Sequence, residues 1–254
     1  LVDLIPPADV LPEETFLVAL FEAQAPNDVC TSLSLADGDC RQMTEALSFA
    51  ATSLEDSLED LQPVRNRFQE LGDEVDVGSF LAQAAAFYGV EAPESLEVQL
   101  LLGVPSGVRA TVIGGHMVLP VPHDSDSRDQ VADLLGVVVH EVGHAFAGSV
   151  SERERYEVNS KLAGITGIVQ REHENILDEA TQTALGNVLF MNWAFPDLVD
   201  HGRSLYNYEP SNEVPWAIDG FARALTPILA EYFGQPGAFT DAYLQAAMSK
   251  HREL

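Results

Sequence analysis

The sequence predicts an α+β fold that is mainly helical, with a small antiparallel sheet next to one central helix. Three observations lead to this prediction. Apolar residues recur at helical spacing through much of residues 1–92 and again after residue 127. Between these regions, residues 96–121 contain alternating patterns typical of strands. Proline and glycine at 104–107 and 114–115 separate those patterns where turns are expected.

Residues 1–92 form the first predicted unit, an N-terminal acidic helical region. Helix patterns cover about 13–25, 41–72 and 77–88. Residues 1–100 contain 20 acidic residues and three arginines, so the local charge is strongly negative. The second predicted domain, 93–254, contains the sheet, the central helix and a helical lobe.

Three strands are expected, near 96–102, 108–113 and 116–121. Gly114 and Gly115 lie between two apolar runs, which predicts a hairpin of the last two strands. Pro120 and Pro122 predict that the last strand lies at a sheet edge, because proline cannot donate a hydrogen bond to a neighbour. An unpaired edge beside the central helix is a place where an extended peptide could add as a further strand.

Composition excludes several classes of partner. The formal net charge is -27, from 40 acidic and 13 basic residues, and such a surface repels nucleic acid and anionic membranes. No run of 18 apolar residues occurs, so we expect no membrane insertion. The first residue is Leu1 rather than methionine, which favours removal of a leader and a secreted or periplasmic location. Cys30 and Cys40 flank a loop-like stretch that could let them pair as a local disulfide.

The central helix is predicted to begin after Ser127, which has capping-box spacing with Gln130. Apolar residues then define a core stripe at helical spacing: Val131, Leu134, Leu135, Val138, Val142, Ala145 and Phe146. Glycines at 136, 143 and 148, with Ala147, lie near the face that carries His140 and His144, which predicts that another part of the chain approaches closely there.

The most informative stretch of this helix is His140-Glu141-Val142-Gly143-His144, an instance of the H-E-x-x-H pattern. Histidines four apart lie on one face of a helix and can reach the same metal ion. They lie about 160° around the helix from the centre of the core stripe, so they are expected to face away from that packing. The alternative is a buried helix whose histidines are satisfied by hydrogen bonds within the core.

A catalytic zinc site usually has three protein ligands and one open position, so a third ligand is required. The metzincin pattern does not supply it, because Ala147 and Val150 occupy the positions of its glycine and third histidine. Glu179, 35 positions after His144 on a predicted helix near 175–186, is the first choice. The rival candidates are Glu157, His173, Glu174 and Asp178.

These residues resemble the gluzincin class of zinc metallopeptidases, in which H-E-x-x-H is followed after a few dozen residues by a glutamate helix, here Leu177-Asp178-Glu179-Ala180-Thr181. The likeness covers about 96–190. It implies a zincin-like metallopeptidase domain, one Zn²⁺ ion held by His140, His144 and Glu179, and Glu141 as general base.

The segment Tyr206-Asn207, with residues 216–222, also looks like a downstream segment of some bacterial gluzincin-like proteins. The class implies that a downstream tyrosine or histidine stabilises the oxyanion. Tyr206 is the expected residue, with Tyr208 and His201 as alternatives.

One position departs from the class. Many members have an aspartate four residues after the ligand glutamate, where it orients a histidine, and this chain has Thr183. The orienting group must then come from elsewhere, with Asp178, Asp200 and Asp219 as candidates.

The expected function is hydrolysis of a peptide or protein substrate by metal-activated water, with Glu141 accepting the proton. Two alternatives stay open. The chain could be a catalytically inactive binding protein on a zincin scaffold, or a zinc hydrolase of a non-peptide amide or ester.

Overall fold

The computed structural model describes residues 26–102, 110–113, 116–122, 125–150, 171–198 and 213–251. Helices dominate these residues, and a small sheet interrupts them, as the sequence predicts. In chain order the elements are α1 Pro26–Ser32, α2 Asp37–Glu74, α3 Val77–Tyr88, β1 Val98–Leu102, β2 Thr111–Ile113, β3 His116–Val121, α4 Arg128–Ser149, α5 Arg171–Thr183, the π-helix π1 Ala184–Phe190, α6 Met191–Ala194, α7 Glu213–Tyr232, the π-helix π2 Phe239–Tyr243 and α8 Leu244–His251.

Where the structure describes the N-terminal region, the observed helices agree with the predicted ones. Helix α3 has the expected bounds, and the pattern at 41–72 lies within the longer α2. The helix pattern at 13–25 lies outside the described residues. Cys30 and Cys40 form a disulfide, which the sequence left open, next to a small apolar cluster of Val29 and Met43.

The sheet is mixed, so the prediction of an antiparallel sheet is wrong in part. The described strands have the order β1-β3-β2. Strands β2 and β3 are antiparallel, as the predicted hairpin requires, with Val112 opposite Met117. Strands β1 and β3 are parallel, with Val98 opposite Met117 and Leu102 opposite Val121.

The central position of β3 also corrects the prediction that its prolines place it at an edge. Pro120 lies opposite Leu101 of β1. On the other side of β3, the described part of β2 reaches only from His116 to Val118. Pro120 therefore lies where β3 has one described neighbour, and its missing N–H interrupts no pairing with β2.

Helix α4 lies at the centre of the core, between the sheet and the later helices. It contacts β2 and β3, the helices α2 and α3, and α5, π1 and α6. The predicted core stripe is buried except for Ala145, which is exposed. Gly136, Val139, His140 and Gly143 are also buried, so the helix has a second packed face that the apolar stripe did not reveal.

The N-terminal helices share this core. Leu61, Val64 and Leu71 of α2 and Phe87 of α3 belong to the same buried cluster as α4, α5 and α7. The division of the chain at residue 92 stays a prediction from composition.

By length and composition alone, α4 is apolar enough to cross a membrane, and among the described residues no other helix is. In the structure, 61% of its most apolar stretch is buried inside the protein. Burial of this kind is typical of a core helix.

Candidate metal centre

Helix α4 carries the H-E-x-x-H residues, and its start is fixed by the predicted cap. The Ser127 hydroxyl accepts a hydrogen bond from the backbone N–H of Gln130 at 3.3 Å. The same hydroxyl donates to Gln130 Oε1 at 2.7 Å. This pairing satisfies one of the free N–H groups of the first turn, so α4 begins at a defined residue.

The structure brings His140, His144 and Glu179 together at the crossing of α4 and α5. The two Nε2 atoms of His140 and His144 are 3.0 Å apart. Glu179 Oε2 lies 3.5 Å from His140 Nε2, and Glu179 Oε1 lies 3.6 Å from His144 Nε2. These residues form a group in which one ligand atom from each lies within 4.8 Å of the others, close enough to hold a metal ion.

The spacing of the ligand atoms fits a small tetrahedral ion. Bonds of 2.0 to 2.1 Å in tetrahedral geometry place neighbouring ligand atoms roughly 3.3 to 3.4 Å apart. The Nε2–Nε2 distance of 3.0 Å lies just below this value, and the distances of 3.5 and 3.6 Å from the two histidines to separate oxygens of Glu179 lie just above it. Two imidazole nitrogens and one carboxylate are also a donor set that zinc uses in catalytic sites.

Asp178, the residue before Glu179, orients His144. Its Oδ2 lies 2.9 Å from His144 Nδ1. An ionised carboxylate can only accept, so Nδ1 carries the proton and donates it. The lone pair of a neutral His144 is then on Nε2, which faces His140 and Glu179. Asp178 was both a rival third ligand and a candidate orienting group, and its contact is that of the orienting group.

A buried polar chain continues behind Asp178. Gln182 Nε2 donates to Asp178 Oδ1 at 2.9 Å. The hydroxyl of Tyr88, from α3, donates to Gln182 Oε1 at 2.9 Å. Gln182 and Tyr88 are almost completely buried, so these hydrogen bonds are shielded from water.

Glycines allow the close approach that the sequence predicted, at two of the three positions. A Cβ at Gly143 would overlap Gln182 Oε1 and lie 3.0 Å from Leu185 Cδ2. A Cβ at Gly136 would lie 3.3 Å from the sulfur of Met191. Nothing lies within 4 Å of a Cβ at Gly148.

The partner across this contact is Gly186 of π1. A Cβ at Gly186 would overlap the carbonyl oxygen of Gly136 and lie 2.6 Å from the backbone N of His140. These are backbone atoms, so they cannot move aside as a flexible side chain would. The contact therefore holds π1 directly against the turn of α4 that carries His140.

The site is electrostatically coupled. Burial alone would raise the pKa of Glu179, but hydrogen bonds and charge interactions with His140 and His144 lower it well below its usual range. Burial alone would lower the pKa of His144, but Asp178 and Glu179 outweigh it and raise that pKa to about 10. The pKa values of His144 and Glu179 therefore move in opposite directions, as in an ion pair.

Glu141 lies beside this group and is partly buried. Burial raises the pKa of its carboxyl above the usual range, and the charge of Glu179 adds to this rise. His140 and His144 act in the opposite direction. A carboxylate with a raised pKa is a stronger base than an exposed one.

The other sequence candidates are not part of the described group. Tyr206, Tyr208, His201, Glu157 and Asp200 lie outside the described residues. His173 and Glu174 lie on α5, but their side chains are outside the described part of the chain. The Asp219 carboxylate contacts Arg223 on its own helix, with 3.4 Å between Oδ2 and Nε.

Sequence reasoning missed Gln182, Tyr88 and Gly186. Gln182 had a weak signal, because a glutamine four residues after an aspartate can pair with it on a helix. Tyr88 had no signal, since it lies 94 residues away from its partner. Nothing in the sequence indicated a π-helix at Gly186.

Comparison of the chain with protein families, with curated proteins and with solved structures finds no match. The case for a function therefore depends on the geometry of these side chains.

Proposed function

We propose that the chain is a zinc-dependent peptidase of gluzincin type, with His140, His144 and Glu179 as the metal ligands and Glu141 as general base. The observation that carries the proposal is the convergence of the three ligand side chains at 3.0 to 3.6 Å, beside a carboxyl group with a raised pKa. Two histidines satisfied separately by core hydrogen bonds would not need a shared carboxylate between them.

The chain's own residues account for ligand orientation and proton transfer. Asp178 holds the His144 ring with its Nε2 lone pair towards His140 and Glu179. When bound, zinc supplies a Lewis acid that polarises a carbonyl group and lowers the pKa of a water from 15.7 to about 7.

Glu141 is the proton carrier in this proposal. Its carboxylate accepts a proton from the attacking water and later gives it to the departing amide nitrogen, so it returns to its starting state. Partial burial favours both steps, because it brings the pKa of the carboxyl closer to neutral pH.

A peptide substrate is supported by the position of the sheet. In the described sheet β2 is an edge strand, and it packs near α4. An extended peptide could pair with such an edge. Tyr206 as the donor to the oxyanion stays a prediction from the sequence.

Elemental analysis tests the ligand set. We expect about one zinc per chain in the wild-type protein and a large loss in Glu179→Ala. The control is Glu231→Ala, which removes an exposed carboxylate of α7 and should keep the zinc content. Equal zinc in Glu179→Ala and the wild type would contradict the assigned ligand.

Hydrolysis of casein tests the reaction. The zinc-loaded protein should cleave casein, a chelator should stop it, and Glu141→Gln should keep zinc while losing about 10² to 10⁴-fold in rate. Zinc binding without any hydrolysis would indicate a binding protein instead. Cleavage of small amides or esters, but not casein, would indicate a non-peptide hydrolase.

A further inference from the structure

Two buried tyrosines donate hydrogen bonds to neighbouring side chains of α5, and only one of these bonds leads to the metal centre. The Tyr88 hydroxyl lies 2.9 Å from Gln182 Oε1. The Tyr243 hydroxyl lies 3.0 Å from Thr181 Oγ1. Thr181 then donates to the carbonyl of Leu177 at 2.8 Å, which ends that chain on the helix backbone.

The hydrogen bonds from Tyr88 through Gln182 to Asp178 can have only one order of donors and acceptors. Asp178 accepts from both of its neighbours, so Gln182 must turn its NH₂ group towards Asp178. Its carbonyl oxygen then faces Tyr88, which must donate. The hydroxyl of Tyr88 therefore fixes the orientation of the Gln182 amide, and Gln182 in turn holds one oxygen of Asp178.

We propose that Tyr88 and Gln182 are positioning residues of the metal centre, which act through Asp178 to hold His144 in its ligand orientation. This inference rests on the proposed metal site. It assigns a role at that site to a residue of α3, in the part of the chain that the sequence placed in a separate acidic region.

The local packing supports this role. Tyr88 and Gln182 are 2% and 0% exposed, so water cannot replace a lost partner. Gly143, between the two histidine ligands, leaves the space that the Gln182 amide fills. The ligand helix is thus shaped around the amide that orients its own second histidine through Asp178.

Without the Tyr88 hydroxyl, the Gln182 carbonyl has no described donor, and the amide can rotate. A rotated amide presents its oxygen to the Asp178 carboxylate, and two acceptors repel each other. Asp178 and the His144 ring would then lose their fixed orientation, and the metal affinity would fall.

The test is a measurement of Zn²⁺ affinity by competition with a chromophoric chelator, on the full chain. Changes to groups around metal ligands lower affinity by about 10- to 100-fold, so for these more remote residues we expect about 10-fold for Gln182→Met and about 3- to 10-fold for Tyr88→Phe. The matched control is Tyr243→Phe, which removes an equally buried hydroxyl that also bonds to a side chain of α5, and it should change affinity less than about 2-fold.

The visible spectrum of the Co²⁺-substituted protein gives a second measurement, because it reports ligand geometry. Tyr88→Phe and Gln182→Met should alter the spectrum, whereas Tyr243→Phe should leave it unchanged. If Tyr88→Phe does not fold, Gln182→Met decides the question by the same two measurements.

The outcomes separate this inference from the proposed function. If the wild-type protein binds zinc and Tyr88→Phe and Gln182→Met bind it as tightly as Tyr243→Phe, the positioning role is wrong and the metal site stands. If the wild-type protein binds no zinc, both proposals are wrong.

Discussion

Helix α4 makes two contacts that differ in chemistry, a polar contact with α5 and a glycine contact with the π-helix π1 that continues α5. At the polar contact, His140, His144, Glu179 and Asp178 meet through hydrogen bonds and charges. At the glycine contact, Gly186 lies against the backbone of Gly136 and His140 with no side chain between them.

The difference indicates that the two contacts have separate roles in positioning the helices and the side chains. The glycine contact sets the distance between the helices, because backbone atoms in contact cannot approach further. The polar contact uses that distance to bring the two histidine Nε2 atoms within 3.0 Å of each other, and a Glu179 oxygen within 3.5 to 3.6 Å of each of them. His140 belongs to both contacts, so packing and metal binding are expected to be linked.

The largest expected effect is the stabilisation of the folded protein by zinc, which should act through the polar contact and not through the glycine contact. Zinc that binds only the folded protein should stabilise it by about 4 kcal/mol at a free concentration 1000 times the Kd. For a chain of this size, this is a rise in Tm of roughly 8 to 16 °C. Calorimetry with zinc and with a chelator measures it. Glu179→Ala should show no rise, and an equal rise in that variant would place the bound ion elsewhere.

The next largest effect is expected when a substitution disrupts the glycine contact. Gly186→Ala places a methyl group against backbone atoms of Gly136 and His140, which should cost about 2 to 3 kcal/mol in the free energy of unfolding. Urea unfolding of the metal-free protein measures this loss, and zinc affinity should fall as well, because His140 is displaced.

The control for this change is Gly148→Ala, on α4, the other helix of the contact, with nothing within 4 Å of the new methyl group. It should keep zinc affinity and gain up to about 1 kcal/mol in stability, since alanine is the better helix former. Equal losses in the two variants would show that the glycine contact does not set the helix distance.

A smaller effect, on zinc affinity, is expected when a substitution weakens the polar contact alone. Asp178→Asn leaves a side chain that can no longer accept from both His144 and Gln182. Zinc affinity should fall by about 10- to 100-fold, which is about 1.4 to 2.7 kcal/mol of binding free energy. Titration calorimetry measures the affinity, and the metal-free Tm should fall modestly, because Asp178 helps to raise the pKa of His144 in the folded protein. A large drop in that Tm with intact affinity would assign Asp178 to folding instead.

The smallest effect is a loss of stability at alkaline pH, which is absent at neutral pH. It arises from the two buried tyrosines, Tyr88 and Tyr243. Burial raises the pKa of Tyr88 and Tyr243 above the ordinary value of 10.0. The unfolded chain therefore loses these protons first, so stability is unchanged below about pH 10 and falls as pH rises above it.

The fall should approach about 1.4 kcal/mol per pH unit for each tyrosine that stays protonated in the folded protein. Urea unfolding between pH 8 and 11 measures it, and Tyr88→Phe or Tyr243→Phe should each reduce the slope. An unchanged slope in both variants would mean that other groups cause the alkaline loss.

Much of the site could be predicted from the sequence because its first part is local. His140, Glu141 and His144 are fixed by four-residue spacing on one helix, and Ser127 marks where that helix begins. Glu179 was selected by elimination and by resemblance, and the structure places it with the two histidines. The hairpin of β2 and β3 was also predictable, since its turn lies between adjacent strands.

The errors in the fold come from pairings between distant segments. Alternation in residues 96–102 indicated a strand but not its partner, and β1 pairs in parallel with β3 rather than extending an antiparallel sheet. The apolar stripe of α4 identified one buried face. The second face includes Gly136, His140 and Gly143, which a pattern of apolar residues does not register.

The sequence by itself determined the central helix, the two histidines one turn apart and Glu141 between them, because helical geometry repeats every 3.6 residues and needs no distant partner. Only the tertiary structure decided that Glu179 faces both imidazoles and that Asp178 contacts His144. It also decided that Tyr88 donates to Gln182, which in turn donates to Asp178. Those contacts depend on how α3, α4 and α5 cross, and the bare backbones of Gly136 and Gly186 set part of that crossing.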